Sequence, residues 1–300
     1  MNVVLSGGTG FIGRGVIKRL VESGHHVIVL VRPGSLLKIA KFPGTETRYV
    51  YFDSPGQMAR VLEEGEAIIN LVGIIRESKT ASFSFAHHTI PQLLAKAAVE
   101  RGIKRFIQMS ALGVGRGIAA EYLETKRLGE EAIKKAAGLE WTIFRPSLVF
   151  GPEDHFVNVL AGMLRRLPAV PVIGDGQYRL QPVHIDDVTT GFVKCLLMPQ
   201  TIGKTYEFGG PDILSYDQMI DFIGSAMGKT QVRKIHLPLG LMNSLARAFG
   251  SLKHFPFTAG QINMLLAENF TEDDAYFKDF GMAPTTFIEG ISRYLRPGRK

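Results

Sequence analysis

Three side chains could handle a proton together: Ser110 in QMSALGV, and Tyr122 and Lys126 in EYLETKRLGEEAI. Tyrosine and lysine four residues apart on a helix share one face. An ammonium beside a phenol favours the phenolate, which predicts a tyrosine pKa drawn down from its usual value of about 10. Such a tyrosine exchanges a proton with a carbonyl or an alcohol, and a serine hydroxyl from a neighbouring strand end would orient the same oxygen. Tyrosine and lysine at this spacing occur by chance in many helices. Twelve residues after a strand-terminal serine, and downstream of a glycine loop, the set becomes specific.

That glycine loop is VLSGGTGFIG, residues 4–13. Gly7 would allow the sharp strand-to-helix turn, Gly10 would let a pyrophosphate approach the backbone, and Gly13 would let the helix pack close to the strand. Thr9, Gly10, Phe11, Ile12 and Gly13 then present first-turn N–H groups to phosphate oxygens, where the helix dipole favours negative charge. The pattern predicts a dinucleotide site, because it follows a strand and opens a helix. At the end of the second strand an acid would favour NAD(H). Arg32 stands there instead, suited to a 2′-phosphate, with Ser35 and Lys38 able to add a hydrogen bond and a charge. The expectation is therefore NADP(H) in preference to NAD(H). Asp53 is placed to accept from the adenine amino group, and Leu71, Val72 and Gly73 to lie along the cofactor.

These residues need a frame that brings strand ends together. Strand patterns cover 2–6, 26–31, 47–52, 67–72, 105–110 and 141–146. Helical patterns cover 11–23, roughly 57–64, 86–101 and 119–137. Continuous apolar strands alternating with helices predict an α/β protein with a doubly wound parallel sheet. After about residue 150 glycines and prolines multiply, and helices are expected near 186–198, 215–227, 258–268 and 285–295. The chain thus divides into a binding domain over 1–150, its sheet completed by segments near 178–208, and a smaller α+β substrate-side region over 151–300.

Composition narrows the function classes. A 300-residue chain that is 45% hydrophobic can bury a full core. It contains no apolar run long enough for a transmembrane helix and opens directly on a strand pattern, which points to a cytoplasmic protein. One cysteine, Cys195, excludes an internal disulfide and a cysteine-rich metal site, and no metal is expected. The net charge of +7 is dispersed except in the terminal RYLRPGRK, so no nucleic acid is expected, whereas the tail could rest on an anionic membrane.

Some signals are set aside. GSAMGKT (224–230) lacks one residue of phosphate-loop spacing and follows a helix, not a strand. Asp186 and Asp187 read as helix-capping residues, and the histidine pairs at 25–26 and 87–88 lack metal-ligand spacing. Met242, Leu245, Phe249, Leu252, Phe255 and Phe257 form an apolar stretch suited to a cleft wall.

Together the glycine loop, Ser110, Tyr122 and Lys126, FRPSLVFGP (144–152), VHIDDV (183–188) and YEFGGP (206–211) make the chain resemble an extended short-chain dehydrogenase/reductase. NLVGIIRE, SALGV, FRPSLVFGPEDHFVN, QPVHIDDV and DFGMAP give a finer likeness, to the branch that holds the nucleotide-binding accessory subunit of respiratory complex I and its bacterial relatives. The resemblance implies a Rossmann-type domain and a bound nicotinamide cofactor. It also implies a catalytic Ser110, Tyr122 and Lys126, with Lys126 on the nicotinamide ribose, and a strip over Arg145–Gly151 in which Pro146, Ser147 and Val149 face the cofactor. Ser110, Phe150, His155 and Arg179 are implied for the substrate side. The chain departs from the pattern at His87, where many relatives have asparagine. Two activities follow from the likeness: an oxidoreductase or epimerase/dehydratase-like enzyme acting on an unknown small molecule, or a non-catalytic protein that holds cofactor within a respiratory or membrane-associated complex. A monomer or homodimer fits either.

Overall fold

The computed structural model describes residues 1–33, 44–52, 55–240, 242, 244 and 259–295. Seven strands form one sheet: β1 (Asn2–Ser6), β2 (His26–Val31), β3 (Thr45–Tyr49), β4 (Ala67–Asn70), β5 (Arg105–Met109), β6 (Glu140–Pro146) and, from much later in the chain, a strand over Lys204–Phe208. All neighbours run parallel, in the order 3-2-1-4-5-6 with the late strand beside β6. The sheet is a Rossmann-type α/β fold whose order reverses between β1 and β4, the place where open parallel sheets leave a crevice.

Alternation along the strands explains the two layers. Val3, Leu5, Val27, Val29, Ala67, Ile69 and Ile107 point to one core, shared with α1 (Phe11–Glu22). Val4, Ile28, Leu30, Ile68 and Phe106 point to the other, against α2 (Pro55–Val61) and α3 (Ile90–Glu100). With helices on both faces, the inner strands are buried except at some of their ends, so they read as nearly unbroken apolar runs.

α4 (Glu121–Lys135) carries Glu121 and Glu124 in its first turn and Lys134 and Lys135 in its last, complementing the helix dipole. After β6 come β7 (Val149–Phe150), α5 (Val157–Arg166), β8 (Val170–Ile173), β9 (Arg179–Leu180), β10 (Val183–His184) and α6 (Ile185–Cys195). The late sheet strand, β11, follows, and then β12 (Leu214–Ser215), α7 (Tyr216–Ala226), β13 (Lys234–Leu237), α8 (Ala259–Leu266), α9 (Ala275–Phe280) and α10 (Phe287–Ser292). A third core joins α5, α7 and α10 through Leu160, Leu164, Met219, Ile220, Phe287 and Ile291.

Several expectations shift. The third strand pairs through the polar TETRY, not TRYVYF; it is a sheet edge, where Tyr49 and Tyr51 are exposed and Arg48 reaches back to Glu46 at 2.6 Å. Of the segments near 178–208 only β11 joins the main sheet, because β9 pairs with β12 instead. α6 and α9 also return to the first core, with Phe192, Tyr276 and Phe280 buried there. α5 and α9 lie where no helix was read. In α5 the buried Val157, Leu160, Ala161 and Leu164 have helical spacing, masked by flanking glycines and prolines. No helix of the described residues is long and apolar enough to cross a membrane.

Candidate functional site

The turn after β1 is built from glycine backbone. Gly7 has φ +81°, and a Cβ there would lie 2.7 Å from the Leu71 carbonyl carbon. A Cβ on Gly13 would lie 2.3 Å from the Gly7 oxygen, so only glycine lets α1 start this close. Gly10 is different. It is exposed, and a Cβ would meet only the Gly7 oxygen, at 3.4 Å, so its bare face is turned away from the protein. α1 begins at Gly10 with no side-chain cap and no acid in its first turn, leaving the positive end of the dipole uncompensated beside Phe11, Ile12 and Gly13. Thr9 supplies its carbonyl to Arg14 at 2.7 Å. This cradle fits a dinucleotide diphosphate. Arg32 is exposed just past the end of β2; Ser35, Lys38 and Asp53 lie outside the described residues.

Beneath the turn runs a buried amide chain that the spacing of the glycine motif does not reveal. Ser6 Oγ donates to Asn70 Oδ1 at 2.6 Å, Asn70 Nδ2 donates to Gln108 Oε1 at 2.8 Å, and Gln108 Nε2 donates to the Met109 carbonyl at 2.8 Å. Asn70 Oδ1 also accepts from the Val72 N–H at 3.2 Å. The network locks the ends of β1, β4 and β5 in register, and with them Leu71, Val72 and Gly73.

Ser110 follows the last residue of β5, is 2% exposed, and its Oγ is buried without a hydrogen-bond partner. Lys126 is buried on α4, with Nζ 3.4 Å from the Met109 carbonyl and 5.5 Å from the Tyr122 ring centre. A Cβ on Gly73 would lie 3.5 Å from that Nζ. The tertiary structure thus gathers Gly73, Met109 and Tyr122 around the lysine.

Electrostatics correct the expected tyrosine. Burial raises the Tyr122 pKa, with no compensating pull from the lysine, so the phenol is protonated. Burial also pulls Lys126 down to about 8, against a raising contribution from Glu130. A protonated phenol is a hydrogen-bond and proton donor.

His87 sits behind this pair. It lies on a π-helical turn, Phe85–Thr89, at the head of α3. The Ile74 N–H donates to its Nε2 at 3.1 Å, so the ring proton is on Nδ1, which lies 3.0 Å from Thr125 Oγ1. Burial, and then the Lys126 charge, push His87 down to about 3, and its ring stands edge-on to Tyr122 at 5.1 Å. Gly129 allows this contact, since a Cβ there would lie 1.9 Å from the His87 carbonyl.

Beyond Tyr122 opens a cavity of about 580 Å³. Its walls come from the ends of β5 and β6 (Ala111, Leu112, Pro146, Ser147, Leu148), α4 (Tyr122, Leu123) and α5 with its approach (His155, Phe156, Val159, Leu160, Met163). Leu180, Tyr216, Glu268, Asn269 and α8 (Gln261, Met264, Leu265) close it. Ser147 Oγ donates to the Gln181 carbonyl, and Val149 pairs with Val183 between β7 and β10.

Other expected positions fall elsewhere. Phe150 is fully buried against His184 and Phe287, and Gly290 leaves room for its ring; it does not line the cavity. The Arg179 guanidinium is held by Glu268 at 2.7 and 2.8 Å and lies over the Phe270 ring. Arg145, expected in the cleft, makes two bonds to the buried Glu130, at 2.8 and 2.7 Å, and one to Glu207 at 3.0 Å. Each arginine found a carboxylate that sequence spacing could not reveal.

The helix-capping assignment also changes hands. His184 Nδ1, not an aspartate, accepts the Asp186 N–H at the start of α6, while the Asp187 carboxylate accepts from Thr285. Met242 is buried with Ile173 and Ile262, and Leu245, Phe249, Leu252, Phe255 and Phe257 lie outside the described residues.

A seven-stranded parallel sheet with a glycine turn at its reversal point and a tyrosine–lysine face beside it defines an α/β protein of the extended short-chain dehydrogenase/reductase type. Residues 3–209 match the NAD dependent epimerase/dehydratase family, and the chain belongs to that family. It is 31% identical to NADH dehydrogenase [ubiquinone] 1 alpha subcomplex subunit 9, mitochondrial, of Arabidopsis thaliana, over 97% of this chain and 77% of that protein. It is 26% identical to the ceramide reductase of Caulobacter vibrioides, over 97% and 92% of the two chains. Among solved structures, the UDP-glucose 4-epimerase of Thermotoga maritima superposes with a TM-score of 0.76 at 19% identity, covering 98% of this chain and 97% of that one.

Proposed function

We propose that the protein is an NADP(H)-dependent oxidoreductase that reduces a carbonyl at the inner end of the cavity. The observation that carries this reading is the Ser110 hydroxyl, buried and unpartnered, at the end of the strand flanking the Tyr122–Lys126 face. A buried hydroxyl without a partner is costly, and a substrate oxygen would supply one. When bound, the nicotinamide supplies the hydride. Tyr122, protonated by its buried setting, delivers the proton to the carbonyl oxygen while Ser110 orients that oxygen. Lys126 would bind the nicotinamide ribose. Leu71, Val72, Gly73, Pro146, Ser147 and Val149 would flank the cofactor, and Arg32 would pair with the 2′-phosphate, aided by Ser35 and Lys38, with Asp53 at the adenine.

Tyr122→Phe tests the chemistry. Turnover should fall by a factor of about 10²–10⁴ with NADP(H) affinity unchanged, as for loss of a general acid; normal turnover would remove this mechanism. Mass spectrometry of nucleotide released from the purified protein tests the cofactor, with NADP(H) expected over NAD(H).

The likeness to a complex I subunit supports a second reading, a protein that holds NADP(H) without turnover inside a larger or membrane-associated assembly. Stoichiometric nucleotide that resists exchange, together with copurifying subunits, would favour it. Freely exchangeable cofactor on a monomer or homodimer would favour the enzyme.

A further inference from the structure

The cavity's chemistry narrows what can bind, and this inference names the substrate class for the site proposed above and rests on that reading. Among the described residues the wall contains no lysine or arginine and a single carboxylate, Glu268. That carboxylate is bound in two places by Arg179. Polar atoms on the wall are largely engaged by the protein itself. Ser147 Oγ donates to the Gln181 carbonyl, and Asn269 Oδ1 accepts the Leu148 N–H at 3.1 Å. The remaining surface is mostly leucine, isoleucine, valine, methionine and phenylalanine. A nucleoside diphosphate sugar carries two negative charges that would have to be desolvated against this wall, where, among the described residues, the imidazole of His155 is the one side chain that could bring positive charge, so the cost is high.

We infer that the substrate is an uncharged, lipid-like molecule: an aliphatic chain along Leu160, Met163 and Leu265, with a carbonyl or hydroxyl directed to Tyr122. The volume of about 580 Å³ is that of a small-molecule site and accommodates a medium-length chain. Tyr122 is a wall group that can donate to such an oxygen at the end next to Lys126, and Ser110 lies one residue before the wall residue Ala111. Val159, on the same wall, is 49% exposed, which marks the side on which the cavity meets solvent.

The test uses the full chain saturated with NADPH and the uncharged fluorophore N-phenylnaphthylamine. Straight-chain alkanols of increasing length are measured for displacement, with UDP-glucose as the charged competitor. Each methylene should tighten the alkanol Kd about three- to fourfold until the chain fills the cavity, and UDP-glucose should not displace the fluorophore. Val159→Lys brings an ammonium to the wall at a half-exposed position, where it can be hosted without unfolding. It should weaken the longest alkanol at least about tenfold, with NADPH affinity unchanged. A flat dependence on chain length, displacement indifferent to Val159→Lys, or competition by UDP-glucose at concentrations where alkanols fail would each overturn the inference. Failure of NADPH itself to bind would be a separate result, removing the functional reading and not the substrate class alone.

Discussion

Two regions face each other across the carboxyl edge of the sheet, and they are built on opposite principles. The proposed cofactor side is backbone and buried polar network: Gly7, Gly10 and Gly13 above, and Ser6, Asn70 and Gln108 below, joined at 2.6 and 2.8 Å. At Gly7 and Gly13 it tolerates no added atom. The proposed substrate side is a hollow lined mainly by aliphatic side chains from segments between Ile75 and Asn269. Tightness on one side suits a constant ligand held in one pose. Slack on the other suits a chain whose affinity would come from burial and not from matched hydrogen bonds. Tyr122 belongs to both regions, packed on His87 behind and open to the cavity in front.

That contrast can be broken first at Gly129. Gly129→Ala drives a methyl into the His87 carbonyl and should destabilise the fold by more than about 3 kcal/mol, or prevent folding, read as a lost or shifted urea midpoint. A substitution on the slack side, such as Leu265→Met, should cost less than about 1.5 kcal/mol in the same assay. If the two variants are equally stable, the asymmetry is wrong.

Acid sensitivity sharpens the same point. His87 has a folded pKa of about 3 against 6.5 unfolded, so the unfolded chain binds the extra proton between those values. Its contribution to stability is therefore complete above pH 6.5 and lost as pH falls towards about 3. By about pH 4 the loss should reach roughly 2–3 kcal/mol, and His87→Gln should flatten the profile over that window.

Lys126 should show the reverse side of function. Its folded pKa of about 8 lies below the unfolded 10.5, so its charge opposes folding below about pH 8 and the opposition fades as pH rises towards 10.5. Lys126→Met should abolish turnover while raising stability at neutral pH by roughly 1–3 kcal/mol, a gain that shrinks on the alkaline side. Melting curves across pH, paired with turnover assays, would check it.

The smallest effect belongs to Arg32. Arg32→Ala should weaken NADPH about tenfold, or about 1.4 kcal/mol, and leave NADH binding unchanged. Equal losses for both cofactors in titration would mean that the arginine does not read the 2′-phosphate.

Much was legible from the residues alone, for a local reason. A glycine loop, a strand–helix alternation and a tyrosine four before a lysine are short-range patterns, and the backbone geometry they demand allows few alternatives. The doubly wound sheet, the α1 turn and the shared face of Tyr122 and Lys126 come directly from them. What the spacing could not contain was partnership across the chain. Arg145 and Arg179 carry the charge expected of a cleft, but Glu130, Glu207 and Glu268 claim them. Phe150 has the look of a pocket residue until Gly290 and Phe287 enclose it. The tyrosine pKa moved up and not down because burial sets it with no compensating pull from the lysine, and burial is a property of the packed molecule. Composition and short-range order therefore set the frame and the candidate chemistry. Charge pairing, cavity lining and proton affinity were decided by the tertiary structure, since each depends on which distant side chains displace water from the same volume.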